Sequence, residues 1–219
     1  MALTLYGSDN WNSPYVLPVF VALREKNLPF EVKTVALDEG EHRSPAFASR
    51  FLTSRVPTLL DDDFALSESS AIVEYLEDAY PAPKHPRVLP AEPHVRARAR
   101  QVMAWIRSDF MAIREERSSE LVFYPHDQVP PFKPLSSDAL RAVDKLMTAA
   151  ESLIPTGSGS LFGAWCVADT DLAMMLQRLI KTGHAVPARV RVYADGQWER
   201  PAVKEFLGKK RPAFRPVAP

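Results

Sequence analysis

Three short runs carry residue types that can do chemistry. Ser13 opens Ser13-Pro14-Tyr15, after the loop Asp9-Asn10-Trp11-Asn12. A hydroxyl at a helix start can donate a hydrogen bond to an anion, and nearby helix N–H groups add to the same field. That anion would lie outside the strand ends, where α/β sheets place ligands. The plainer alternative is a serine that only caps the helix. Val56-Pro57 begins an extended run to Leu60. A β-branched residue before proline is held extended. A cis bond there would mark a designed turn. The amide and carbonyl of Val56 would then be left for a peptide-like ligand to pair with as an added strand. The alternative is an ordinary edge-strand proline. Ser67-Glu68-Ser69-Ser70 marks another helix start. Ser69 offers a hydroxyl and a backbone N–H to a carboxylate. Glu68 beside it can take an ammonium group, and an α-amino acid carries both charges at this spacing. Plain capping is again the alternative.

Together the three runs describe a thioredoxin-like site for a γ-glutamyl peptide with a thiol. An unperturbed thiol titrates near about 8.5. A hydrogen bond plus a helix N-terminus can bring it below neutral, at ~1.36 kcal/mol per unit.

The elements that must hold these runs follow from periodicity. Leu3 to Tyr6 reads as a short strand ended by Gly7. Ser13-Pro14 opens a helix, with Pro14 at the first helical position, running to about Lys26 with Val16, Phe20 and Leu23 on one face. Phe30 to Leu37 alternates as a strand, and residues 44–51 fit one or two helical turns. Val56 to Leu60 is extended, Asp61-Asp62-Asp63-Phe64 turns, and Phe64 to Leu66 pairs back as a hairpin. Glu68 to Tyr80 is an amphipathic helix with Ile72, Tyr75, Leu76 and Ala79 inside. This order predicts an α/β layer with a mixed four-stranded sheet. A Pro-rich stretch, PAPKHP, then begins at residue 81. Beyond it the strands vanish. Helical spacing covers Glu92 to Arg117, Ser137 to Leu153, Asp169 to Thr182 and Asp195 to Leu207. The Gly-rich GSGSLFG (157–163) follows no strand and reads as a flexible turn. The expected division is an α/β domain over 1–80, a linker over 81–91 and an all-helical domain over 92–219.

Composition sets outer bounds. At 219 residues, 46% hydrophobic and 25% charged, the composition argues against wholesale disorder. Equal numbers of acidic and basic residues argue against a dedicated nucleic-acid binder. The charge is uneven: 13 acidic and 6 basic side chains lie up to residue 80, 14 and 21 beyond it. That suits two domains of opposite sign, or two solvated surfaces that happen to balance. A nucleic-acid partner on the positive half is a third reading, weakened because the excess is diluted along helices. One cysteine, Cys166, allows no internal disulfide and no Cys-rich zinc site. No metal is expected. The start MALTLYGSDNW has no basic region ahead of an apolar stretch, and Tyr15 to Leu23 is too short for a bilayer. These features lead to the expectation of a cytoplasmic protein with no membrane or nucleic-acid partner.

The chain resembles the soluble glutathione transferases, and among them the bacterial YfcF-type branch near the theta-like classes. The runs that carry this are SPY (13–15), RVPTL (55–59), ESSAIVEYLEDAYP (68–81) and WCVADTDLA (165–173); GEHRSP (40–45) and RARARQVMAWIRSD (96–109) point to the branch. The resemblance implies a thioredoxin-like first domain and an all-α second domain. It implies that Val56 pairs with the cysteinyl part of glutathione beside a cis Pro57. Glu68 and Ser69 would hold the γ-glutamyl amino and carboxylate groups. Ser13 would stabilise the thiolate, with Asn12 or a backbone N–H as the substitute donor. His42 or Arg55 would reach the glycyl carboxylate. Trp11, Tyr15, Trp105, Phe110 and Met111 would line an electrophile pocket, or else belong to the core. Arg107 and Arg114 would face the cleft, or form a solvated stripe. A homodimer is implied, with Phe51 and Phe64 in exposed-looking loops as its support.

Two departures stand out. Relatives place Asn-Pro a few residues before Val-Pro, where this chain has Leu52-Thr53-Ser54-Arg55. Cys166 replaces the usual Ser or Thr cap, with Asp169 as its structural partner. Thiol-exchanging relatives carry a cysteine where Ser13 stands. Residues 1–165 hold none, so glutathione itself must be the nucleophile. The implied activity is conjugation to small electrophiles, with glutathione-dependent reduction of hydroperoxides as an added capacity. The alternative is a non-catalytic glutathione-binding stress or adaptor protein.

Overall fold

A computed structural model describes residues 2–214, so the last five residues of the tail KKRPAFRPVAP lie outside the described part. The chain packs as two compact units. One runs to Val88 and takes in the chain again from Glu205; the other spans Leu89–Lys204. The first unit thus includes much of the Pro-rich stretch and recovers the C-terminal end, which the sequence assigns to the helical part.

The first unit is built on a four-stranded mixed sheet in the order β2-β1-β3-β4. β1 (Leu3–Ser8) is buried throughout and runs parallel to β2 (Phe30–Val35). It is antiparallel to β3 (Thr58–Asp61), which pairs with β4 (Phe64–Ser67). α1 (Val16–Glu25) is buried from Val16 through Leu23 and packs against α3 (Ser69–Ala79). A second cluster of Tyr6, Val35, Phe47, Phe51 and Leu60 packs with Val56 beside it, and Phe47 belongs to the short α2 (Pro45–Ala48). Tyr6 and Phe51 rings lie 4.9 Å apart. Phe51 is therefore core, not the exposed loop residue expected; Phe64 alone of that pair is half exposed, stacked on Tyr75. Asp61 is the buried end of β3, where its Oδ2 accepts from the hydroxyls of Tyr75 at 2.7 Å and Tyr80 at 2.6 Å. Burial and this carboxylate push the Tyr75 hydroxyl up to about 12. In α3, Ile72 and Leu76 are buried as expected, but Ala79 faces outward and Glu77 inward. Fully buried Lys26 provides the reason, its Nζ lying 2.7 Å from Glu77 Oε1.

The second unit is mainly helical. α4 (Pro93–Ser108) starts at Glu92, whose carboxylate accepts from the amides of His94 and Val95. The single helix expected over 92–117 breaks at Asp109 and Phe110 before α5 (Met111–Glu116). Phe110 is left-handed (φ 61°) and buried. Asp109 diverts the chain: Oδ1 accepts from the Phe110 amide at 3.0 Å and Oδ2 from the Trp105 indole at 2.9 Å. After α6 (Glu120–Phe123) comes α7 (Ser137–Leu153), capped by Ser136. α8 (Val167–Lys181) is buried on nearly every face. The Asp169 carboxylate accepts from the amides of Cys166 and Leu161 and from the Tyr193 hydroxyl. Burial pushes the Cys166 thiol up to about 12, so this sulfur stays protonated and inert. The helix expected over 195–207 is two, α9 (Ala188–Trp198) and α10 (Pro201–Leu207). Pro201 cannot continue a helix and is favoured at the start of one. No helix among the described residues is long and apolar enough to cross a membrane.

Candidate functional site

The register of the sheet decides where the three runs lie. Tyr6 pairs with Thr58, and Thr58 pairs with Ser67. The exit of β1, the entrance of β3 and the exit of β4 therefore share one end of the sheet. Ser13 follows the first, Val56-Pro57 precedes the second and Glu68-Ser69 follow the third. Three runs separated by up to 56 positions are brought to one place.

The β3 and β4 runs are locked together by a relay of hydroxyls. Thr58 Oγ1 donates to the Arg55 carbonyl at 2.8 Å, and the buried Ser67 hydroxyl lies 2.8 Å from Thr58 Oγ1 and donates to it. This fixes the turn ahead of Val56 to the strand ahead of Glu68. The Val56-Pro57 bond is cis. Val56 lies two residues beyond Thr58, the last rung of the ladder, so no rung of the sheet occupies its amide or carbonyl.

Glu68 is exposed and Ser69 buried at the first position of α3. The start of α3 has no side-chain cap and no acidic residue in its first turn, leaving its positive end unneutralised. Glu68 holds φ 72° and ψ 115°, a region that L residues rarely adopt. Such geometry costs about 1–3 kcal/mol and gathers at ligand sites. Glu68→Gly is therefore expected to raise stability by about 1 kcal/mol in a urea titration, the relieved strain exceeding the flexibility glycine adds. Glutathione affinity should fall in the same variant. A lower urea midpoint for the glycine variant would show that the conformation carries no cost.

Ser13 stands three residues before the first residue of α1 and is not within it; the capping position belongs to Tyr15. The Ser13 hydroxyl oxygen accepts from the Val16 amide at 3.2 Å and the Tyr15 amide at 3.4 Å. Its acceptor side faces the helix, and its proton has no acceptor among the described residues. The Ser13 oxygen thus caps the helix start, while its proton is left uncommitted among the described residues. Asn12 accepts from the Ser8 hydroxyl at 3.4 Å.

The other expected residues divide. His42 sits in a 3-10 turn (Glu41–Arg43), with Nε2 accepting from Arg43 Nε at 3.3 Å and Nδ1 buried without a partner. Arg55 is exposed. Trp11 (φ 48°) packs edge-on against Phe20 and Phe206. Tyr15 is 38% exposed. In the second unit, Trp105 meets Phe110 edge-on at 4.6 Å and lines a cavity of about 370 Å³ with Arg98, Gln101 and Leu153 among others. Met111 is exposed. Arg107 is not a solvated residue: it pairs with buried Asp171 at 2.6 Å. Arg114 donates to the Ile106 carbonyl.

Sequence reasoning missed Asp9, whose Oδ1 is buried without a partner in the Ser13 loop. Burial raises its pKa, and Asp38 adds to the effect. Nothing local marks it, because an acid in a loop is usually solvated. No group of three or more His, Cys, Asp or Glu among the described residues is placed to hold a metal.

Comparisons with known proteins bear on the family of the chain. Residues 92–210 match the family model for the glutathione S-transferase C-terminal domain, and residues 12–79 that for the N-terminal domain. A glutathione transferase homolog from Burkholderia gl BGR1, solved with bound glutathione, is 42% identical. The match covers 94% of this chain and 96% of that one, with a TM-score of 0.76. A glutathione S-transferase from Rhodospirillum rubrum F11 is 25% identical over 98% of this chain and 96% of that one, with a TM-score of 0.71. Glutathione S-transferase theta-1 from Mus musculus is 39% identical over 87 residues, which is 40% of this chain but only 35% of the mouse protein.

Proposed function

We propose that this chain, which belongs to the glutathione S-transferase family, binds glutathione in its first unit and transfers the sulfur to small electrophiles. The observation that carries the reading is the convergence of Ser13, Val56-Pro57 and Glu68-Ser69 at one end of the sheet. Val56 pairs with the cysteinyl backbone as an added strand. Ser69 and the start of α3 take the γ-glutamyl carboxylate, and Glu68 takes the ammonium. His42 or Arg55 meets the glycyl carboxylate. The thiol proton leaves to solvent, and the Ser13 hydroxyl donates a hydrogen bond to the sulfur and holds it as a thiolate. The thiolate attacks the electrophilic carbon, the C–S bond forms, and the leaving group departs with its electron pair. A hydroperoxide serves as a second electrophile. There the thiolate attacks the terminal oxygen, the O–O bond breaks and the alkoxide leaves as the alcohol; the sulfenic acid so formed reacts with the thiol of a second glutathione to give the disulfide and water. A homodimer and a cytoplasmic setting belong to the same proposal, with half-exposed Phe64 as the apolar residue free to meet a second copy.

The test is the pKa of the bound thiol, followed by thiolate absorbance against pH. A value at least one unit below that of free glutathione is expected. Binding with an unshifted thiol would favour the non-catalytic reading instead. No binding would overturn both.

A further inference from the structure

We propose that Arg211 is a positioning residue for Ser13, strapping the loop that carries it to the end of the chain; this rests on the role given to Ser13 above. The loop between β1 and α1 contains a strained point. Trp11 is left-handed at φ 48°, a state that persists only where its surroundings impose it. Its amide donates to the Ser8 carbonyl at 3.1 Å, which fixes one side. The other side is fixed from 200 positions away. Arg211 Nε donates to the Trp11 carbonyl at 3.2 Å. The same guanidinium gives Nη1 to the carbonyls of Leu207 (2.7 Å) and Lys209 (3.1 Å), and Nη2 to that of Phe206 (3.3 Å). A planar fork with five donors can do this; an ammonium cannot reach all four oxygens together.

The apolar contacts follow the same path. The Trp11 ring meets Phe206 at 5.4 Å and Phe20 at 6.2 Å, and Lys209 Nζ lies 5.5 Å from the Trp11 centroid. Arg24 pairs with Glu205 at 2.8 Å, tying α1 to the same segment. Both ends of the span that carries Ser13 are therefore anchored to residues 205–211. The α1 amides hold the Ser13 oxygen, while Arg211 holds the backbone two residues ahead of it. Removing Arg211 leaves the first hold intact and loosens the second. The Ser13 proton then loses its fixed aim, while Val56, Glu68 and Ser69 keep theirs.

The experiment compares Arg211→Ala and Arg211→Lys with the parent. The readouts are amide hydrogen exchange, and kcat and KM for glutathione across pH with an activated aryl chloride. In the alanine variant, exchange at Trp11 to Tyr15 should speed up and kcat should fall about tenfold. KM for glutathione should stay within about twofold, and the acid limb of the pH profile should move up by about one unit. Lysine should recover part of kcat, since it can serve the Trp11 carbonyl alone. If the alanine variant does not fold, the lysine variant should show the same changes in smaller measure. Faster exchange confined to Phe206–Lys209, with an unmoved pH profile, would reduce Arg211 to a cap for α10 and overturn the proposal. Failure of the parent to bind glutathione would overturn the proposed function instead. Exchange at Trp11 to Tyr15 would still decide whether Arg211 holds the loop.

Discussion

Ser13→Ala is expected to lower kcat/KM for conjugation about 10²-fold near neutral pH, with glutathione affinity little changed. One hydrogen-bond donor aimed at an anion in a preorganised site is worth about 10²–10³ in rate. Ser13 suits that role, because its oxygen accepts from the Val16 and Tyr15 amides and its proton is committed to no acceptor among the described residues. α1 adds an unneutralised N-terminus, with no acidic residue in its first turn. Affinity should survive because Val56, Glu68 and Ser69 hold the rest of the tripeptide. The loss must depend on pH in a defined direction. Well below both thiol pKa values, rates of parent and variant fall in parallel. The ratio is widest there, and it narrows between the lowered value of the parent and the higher value of the variant. Above both, each sulfur is ionised and the ratio shrinks. The cap is lost too, at about 1 kcal/mol, so the melting temperature should drop by a few degrees at most. A pH–rate profile with melting curves separates the two effects. Unchanged turnover would leave Ser13 as a cap, and pass the donor role to Asn12 or a backbone N–H.

The site was more legible in the sequence than its supports. Ser13, Val56-Pro57 and Glu68-Ser69 sit at junctions between elements, where residue type is tied to local backbone geometry. Their convergence follows from the strand order, which alternation of strands and helices makes readable. The supports depend on distant residues. Helical spacing of Val102, Ile106, Phe110 and Ile113 runs straight through the break at Asp109, because the carboxylate that diverts the chain leaves that spacing intact. Glu77 reads as a solvent-facing residue of α3 until Lys26 is seen beneath it. Phe206 and Arg211 return to the first unit with no local signal, since a contact over about 200 positions leaves no periodicity behind. Phe51 looked exposed for the same reason: its partners Tyr6 and Phe47 come from other elements.

Glu77→Ala is expected to cost about 3–5 kcal/mol of stability, a large share of the ~5–15 kcal/mol that holds a typical fold. Lys26 is fully buried at the end of α1. Its Nζ lies 2.7 Å from Glu77 Oε1 and 3.0 Å from the Pro86 carbonyl. The same carboxylate oxygen accepts from the Val88 amide at 2.7 Å, and Arg87 lies 3.8 Å from the other oxygen. Alanine would strand an ammonium in the interior with one carbonyl, and leave the Val88 N–H unpaired. An unpaired buried charge costs far more than the pair contributes. Two further variants separate these terms. Lys26→Met with Glu77→Gln removes both charges but keeps an acceptor for Val88, and should recover most of the loss. Lys26→Met with Glu77→Leu leaves the amide unpaired, and should fall short of that by about 1–3 kcal/mol. The non-additivity of the two sites, read by urea unfolding, measures their coupling. The damage should also be local. With Glu77 gone, residues 81–88 lose both their carboxylate anchors, and protease cleavage there should precede cleavage elsewhere. Equal midpoints for Glu77→Ala and the parent would mean that Lys26 reaches water in solution. The pair would then be a surface contact worth little.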